Sequence, residues 1–186
     1  MIYTPKEDSY LLAKEVKRYA KDNSVLDLGT GSGIQALAAK FAGAKSVIAS
    51  DINMKAVNQA KKQFKRYKIR AIHSNLFEKI KGTFDLIVFN PPYLPEDKRE
   101  DKDSALSTTG GKKGDEVIIY FLKQAALHLN NNGTILLLTS SLTPETRINN
   151  LMKRLKLKSK VIAIQKLFFE QLFVLEIKKH KFKTHN

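Results

Sequence analysis

This sequence predicts an α/β fold: a seven-stranded doubly wound sheet, mostly parallel, that ends in an antiparallel C-terminal hairpin. Three observations carry the prediction. Short apolar runs of strand type alternate with longer stretches of helical period through most of the chain. A glycine-rich turn, Gly29-Thr30-Gly31-Ser32-Gly33, follows the first apolar run directly. The last two apolar runs are joined by Leu167–Gln171 alone, too short for a crossover helix, so they must pair antiparallel.

The elements follow in order. A first helix is expected over Pro5–Ala20, with Thr4 as N-cap, Pro5 in the first turn and Glu7 completing a T-x-x-E capping box. Leu11, Leu12, Glu15, Val16 and Tyr19 place a mostly apolar stripe on one face. The first strand is Ser24–Leu28. After the glycine turn comes a helix over Ile34–Phe41, ended by Gly43. A second strand, Ser46–Ser50, leads through Asp51-Ile52-Asn53 into a helix over Met54–Tyr67. Strands follow at Ile69–His73 and Phe84–Phe89. Beyond Asn90-Pro91-Pro92-Tyr93, a polar stretch to about Lys113 has neither hydrophobic period, and loops of that length are usually functional or disordered. A helix over Asp115–Leu129, punctuation at Gly133 and a strand over Thr134–Thr139 come next. Thr143 should cap a helix that has Pro144 in its first turn and runs to about Leu155; strands at Lys160–Lys166 and Leu172–Lys178 close the chain. Five parallel strands followed by an antiparallel hairpin make this a Rossmann-like sheet, with ligand expected at the carboxyl ends of the strands near the switch point. A flavodoxin-like sheet is the competing topology.

The 186 residues suit about one domain. The whole span 1–186 reads as one, with a helical lead-in over 1–22 and a basic tail over 179–186. No apolar run approaches the roughly twenty residues of a membrane helix. The N-terminus has no apolar signal region, so a cytoplasmic protein is expected. The absence of cysteine excludes disulfides, thiolate metal sites and cysteine nucleophiles within this chain. The four histidines show no ligand spacing, and no metal site is expected. Lysine and arginine number 33 against 18 acids, a net charge of +15. Such a charge draws a protein toward polyanions, nucleic acid included, or simply keeps it soluble.

The chemistry is concentrated at strand ends. A G-x-G-x-G on its own also fits an ordinary strand-to-helix turn, but its place after the first strand supports a ligand-binding role. The spacing is not that of the dinucleotide fingerprint, and the turn holds no lysine to cradle phosphate. Asp27 would repel a pyrophosphate and suits a ligand with a cationic group; S-adenosylmethionine fits. Asp51, about twenty residues beyond the turn, can accept both ribose hydroxyls. It could instead cap the next helix, but Asn53 is an equally good cap. Asn75 could bond an adenine edge while Leu76 covers the ring. In Asn90-Pro91-Pro92-Tyr93 two prolines stiffen the backbone and remove two donors. The Asn90 side-chain oxygen and the Pro91 carbonyl then form a rigid acceptor edge for a planar –NH2 group, on which Tyr93 could stack.

Together, V-L-D-L-G-T-G-S-G, the acid after strand 2 and N-P-P-Y after strand 4 resemble the class I S-adenosylmethionine-dependent methyltransferases that modify planar amino groups. Tyr3-Thr4-Pro5-Lys6-Glu7-Asp8-Ser9 and Gly110-Gly111-Lys112-Lys113-Gly114-Asp115-Glu116-Val117 resemble the HemK-related subfamily of archaea and eukaryotes. The resemblance covers essentially the whole chain. It implies methylation of the glutamine in the Gly-Gly-Gln loop of class I peptide release factors. The implied cofactor contacts are Ser9, Asp27, Gly29, Gly31, Asp51, Asn75, Leu76 and Asn90, and the implied catalytic turn is Asn90, Pro91, Pro92 and Tyr93. The chain departs from the family in three places. Ser9 stands for a usual threonine and Asn75 for a usual aspartate. Ser107-Thr108-Thr109 precedes Gly110, where relatives often have a tryptophan. The resemblance also implies a small zinc-binding activator subunit, expected at the strand 3 edge. Bacterial relatives carry a helical substrate domain ahead of the fold. Only about twenty residues precede the first strand here, so that domain is expected to be absent. The alternative reading is an adenine or guanine methyltransferase acting on RNA or DNA through the same turn. A non-catalytic binding module is a third reading, and the intact Asp27, Asp51 and Asn90 argue against it.

Overall fold

The computed structural model describes residues 2–96 and 108–180. Its centre is a sheet of order β3-β2-β1-β4-β5-β7-β6. The strands are β1 (Ser24–Leu28), β2 (Ser46–Asp51), β3 (Arg70–His73), β4 (Phe84–Phe89), β5 (Leu129–Ser140), β6 (Leu157–Lys166) and β7 (Gln171–Lys179). β1 to β5 run parallel, and β7 is antiparallel to both β5 and β6. The helices are α1 (Glu7–Tyr19), α2 (Ile34–Phe41), α3 (Met54–Phe64), α4 (Glu116–His128) and α5 (Glu145–Arg154). This is the doubly wound sheet expected from the alternation of apolar runs, with the C-terminal hairpin antiparallel as its short connection requires.

Both faces of the central strands are buried, which is why those strands read as unbroken apolar runs. Val25, Leu86, Val88, Leu136 and Leu138 pack toward α1, α2 and α3. Leu26, Leu28, Ile87, Phe89, Ile135 and Leu137 alternate with them and pack toward α4 and α5. The same period of two puts Asp27 on the α2 side of β1.

Several boundaries differ from expectation, each for a local reason. The Thr4–Glu7 capping box does not form. α1 begins at Glu7 behind an extended Lys6 that makes no side-chain cap bond. The carboxylate of Asp8 takes over instead, accepting from the Ser9 backbone N–H at 2.6 Å and the Tyr3 hydroxyl at 3.0 Å. Thr143 does not cap α5, which begins after Pro144. The Thr143 hydroxyl donates to the Tyr93 carbonyl at 3.1 Å. β5 starts at Leu129 and runs through Gly133, with a register shift opposite Phe84 and Leu86. β6 starts at Leu157, because an edge strand tolerates Lys158 and Lys160 on its exposed side. The segment Met54–Tyr67 tightens into a 3₁₀ turn at Lys65–Tyr67. Ser107 and most of the polar stretch, over 97–107, lie outside the described residues, as do residues 181–186 of the expected basic tail.

Gly33 closes the glycine turn at φ +86°, and an added Cβ would meet the Phe64 ring at 2.6 Å. Phe64 is fully buried and cannot swing out. Gly33→Ala should therefore lower the unfolding free energy by about 1–3 kcal/mol, read from denaturant titration. An unchanged midpoint would show that α3 shifts freely.

Candidate active site

Strand register builds the site. Leu28 of β1 stands level with Ser50 of β2 and with Phe89 of β4. The residues that follow, Gly29, Asp51 and Asn90, therefore emerge side by side. Asp51 also pairs with His73, which carries Ser74–Leu76 to the same rim. These residues line a cleft of about 1660 Å³ at the carboxyl ends of the strands. Of the residues singled out from sequence, Ser9, Gly29, Gly31, Asp51, Asn75, Leu76, Asn90, Pro91, Pro92 and Tyr93 all line it.

Asp27 lies behind the cleft wall and is not among the residues that line it. It is 1% exposed beneath the turn. Its Oδ2 accepts from the Thr30 hydroxyl at 2.6 Å and the Ala36 N–H at 3.0 Å, tying the turn to the start of α2. Its other oxygen has no hydrogen-bond partner among the described residues. Burial pushes this carboxyl up to about 7, against the opposing pull of the Thr30 and Ala36 bonds, and the nearby Asp51 charge adds to the rise.

Asp51 uses one oxygen for the Gly31 N–H at 2.8 Å and the other for the Asn53 N–H at 2.8 Å. Asn53 caps α3 through the Lys55 N–H. Asp51 is thus free of the capping role while each carboxylate oxygen retains acceptor capacity on the cleft wall. Leu76 sits in the left-handed region at φ +45°. The Ser74 hydroxyl holds it there, donating to the Leu76 carbonyl at 2.9 Å. Asn75 donates its amide N–H to Glu78 at 3.0 Å.

The turn after β4 has a supporting residue that sequence reasoning passed over. The Asn90 amide nitrogen donates to Asp8 Oδ2 at 2.9 Å. A carboxylate only accepts, so this bond settles which end of the amide is nitrogen. Asn90 Oδ1 is left buried without a hydrogen-bond partner among the described residues. Asp8 itself is only 4% exposed. The signal was present in the sequence. Asp8 lies on the stripe of Leu12, Glu15 and Val16 at i+4, i+7 and i+8, and an acid on an apolar stripe needs a partner. Tyr3 and Tyr93 both line the cleft. Burial pushes both hydroxyls well above the ordinary tyrosine range, followed by the Asp8 charge, with Glu7 and Glu170 contributing.

Gly110 and Gly114 clamp this turn from outside. A Cβ on Gly110 would meet the Gly114 carbonyl and, at 2.7 Å, the Pro92 carbonyl. A Cβ on Gly114 would meet the Tyr93 carbonyl at 2.7 Å. At Gly110 and Gly114 the segment is therefore backbone packed on backbone, which only glycine permits.

Comparisons with known proteins agree with this geometry. The family model described as the methyltransferase small domain matches residues 6–169. The chain belongs to that family of class I, S-adenosylmethionine-dependent methyltransferases. A protein from Methanocaldococcus jannaschii, provisionally named a protein N5-glutamine methyltransferase, is 39% identical over 94% of this chain and 90% of its own. A release factor glutamine methyltransferase from Borreliella burgdorferi is 35% identical over 73% of this chain; the match spans 52% of that longer protein. Among solved structures, the E. cuniculi Mtq2–Trm112 complex responsible for methylation of the eRF1 translation termination factor aligns with TM-score 0.73 and 25% identity. That alignment covers 95% of this chain and 98% of the other.

The buried Asp27 has a consequence for stability. Its carboxyl, ordinarily at 3.8, sits at about 7 in the folded chain. The folded state thus holds a proton that the unfolded state has released, and stability falls as pH rises from about 4 to about 7. Asp27→Asn should erase this slope. Its stability relative to the parent protein should climb across that window by on the order of 1–4 kcal/mol in pH-resolved denaturation. Parallel pH profiles would show that Asp27 is ionised throughout.

Proposed function

We propose that this chain transfers a methyl group to the side-chain amide of the glutamine in the Gly-Gly-Gln loop of a class I peptide release factor. The observation that carries the reading is the Asn90 amide. Its nitrogen is held by Asp8 and its oxygen is buried at the cleft wall without a partner, beside two prolines that donate nothing. An acceptor edge of that kind suits a planar –NH2. The names of the relatives support glutamine as the bearer of that group.

The residues fit S-adenosylmethionine. The turn holds no lysine, Asp51 offers a carboxylate at ribose-binding position, and Ser9, Gly29, Gly31, Asn75 and Leu76 complete the wall. When bound, that cofactor supplies an electrophilic methyl group on a sulfonium. The chain supplies orientation. An amide nitrogen is a poor nucleophile because its lone pair is delocalised. Asn90 Oδ1 and the Pro91 carbonyl accept its two hydrogens, and the Tyr93 ring packs against the amide plane. Those bonds strengthen as positive charge develops on the nitrogen, favouring the transition state over the ground state. The nitrogen then loses its proton to solvent. Asp8 fixes which face of the Asn90 amide is presented.

The electrostatics favour a protein acceptor over nucleic acid. Among the described residues, carboxylates of Glu7, Asp8, Asp51, Glu96 and Glu170 line the cleft. Only Lys6, Lys55 and Lys112 oppose them. A polyanion would meet an acidic cleft on an otherwise basic chain. An activator belongs to the same reading. β3 pairs with β2 on one side only, so its other edge is open to strand addition by a small zinc-binding partner.

Two outcomes are expected. In single-turnover transfer of labelled methyl, with the chain alone and with the activator co-expressed, label should enter release factor and not total RNA. Asn90→Ala should lower that rate at least about a hundredfold with little change in Tm, and Asp8→Ala, which also unties Tyr3, should lower both the rate, by at least about tenfold, and the Tm. Label in RNA would transfer the assignment to the nucleobase reading. Separately, Asp51→Ala removes charge-assisted bonds worth about 1.5–3 kcal/mol each. Calorimetry should show S-adenosylmethionine affinity weakened at least tenfold, and unchanged affinity would remove Asp51 from the cofactor wall.

A further inference from the structure

The β6–β7 hairpin exposes two neighbouring aromatic rings at its tip. Phe168 is 91% exposed and Phe169 85% exposed. The rings pack edge to face, with centroids 4.5 Å apart. Nothing in the fold needs them there. The tip is nevertheless held firmly. The Leu167 N–H donates to the Glu170 carbonyl at 2.8 Å, closing the turn. The Ser140 hydroxyl donates to Glu170 Oε2 at 2.5 Å, and the Gln171 N–H donates to the Ser141 hydroxyl at 3.0 Å. Ser140 ends β5 and Ser141 follows it, at the carboxyl side of the sheet where the cleft opens. The residues flanking the rings, Leu167, Glu170 and Leu172, line the cleft itself. The rings are therefore continuous with the cleft mouth, on a braced turn.

We propose that Phe168 and Phe169 dock the methyl-acceptor protein, entering an apolar socket beside the loop it presents for modification. This rests on the protein-glutamine reading above. Two observations point to the acceptor as occupant. The patch is joined to the cleft through Leu167 and Glu170, which line it, so a macromolecule that presents a loop to the cleft lies close to both rings. Among the described residues, the cleft beside it is lined by more carboxylates than ammonium groups, in a chain of net charge +15. That local inversion selects a partner whose surface is apolar at the socket and basic around it, and it repels phosphate. Exposed aromatic pairs on rigid turns make effective anchors, because little side-chain entropy is lost when they bind.

The test is steady-state methyl transfer to intact release factor by the wild-type chain and by Phe168→Ser/Phe169→Ser, with the activator present in both. Both rings are solvent-exposed, so the double variant should fold with unchanged Tm. The expected result is a KM for release factor raised at least tenfold, kcat within about twofold and S-adenosylmethionine affinity unchanged. Phe168→Leu/Phe169→Leu, which keeps the apolar character, should recover most of the loss in KM. An unchanged KM in the serine variant, with an active wild type, overturns the docking role and leaves the glutamine reading intact. A wild-type chain that labels RNA but not release factor overturns both. If the wild type sediments as a dimer, the serine variant as a monomer, and KM is the same, the occupant is a second copy and the proposal fails.

Discussion

The carboxylate of Asp8 ties the extended lead-in, the first turn of α1 and the turn after β4 to one another. It accepts from the Ser9 N–H in the first turn of α1, from the Tyr3 hydroxyl in the extended lead-in, and from the Asn90 amide at the end of β4. Three separate segments are thus oriented by one buried charge. Burying a carboxylate is costly unless its lone pairs are filled, and here they are filled by groups that the cleft requires in fixed positions. The lead-in packs as a wall of the cleft because Asp8 gives it a partner there. The Asn90 amide has one orientation because a carboxylate cannot donate.

The turn after β4 is restrained from its other side as well. Gly110 and Gly114 bring one backbone against the carbonyls of Pro92 and Tyr93, and Thr143 donates to the same Tyr93 carbonyl. The Asn90 end is tied by a charge-assisted bond and the Tyr93 end by close packing and a hydroxyl. A site that acts by orientation needs this kind of support, since small displacements of an acceptor edge cost rate steeply. Beneath the glycine turn, Asp27 plays a comparable part, joining Thr30 and α2 while staying out of the cleft.

Charge is distributed against the average. The chain is strongly basic, yet the described cleft wall carries more carboxylates than ammonium groups. A field of that shape separates two questions that net charge alone confuses: what the surface attracts, and what the cleft admits.

The sequence by itself determined the alternation of strands and helices, the antiparallel hairpin and the placing of the glycine turn, Asp51 and N-P-P-Y at strand ends. Those follow from the period of apolar residues and from connection lengths, which are local properties of the chain. The helix starts were less legible. Thr4 and Thr143 had good capping chemistry, but each position was decided by a competitor distant in sequence or by backbone packing: Asp8 and its partners in one case, the Tyr93 carbonyl in the other. The site divided in the same way. Asp51 and Asn90 could be read because strand ends announce themselves. The inward turn of Asp27, the bond from Asn90 to Asp8 82 positions away, and the two glycines against N-P-P-Y were decided by tertiary structure. Each depends on which backbone lies across from it, and no periodicity records that.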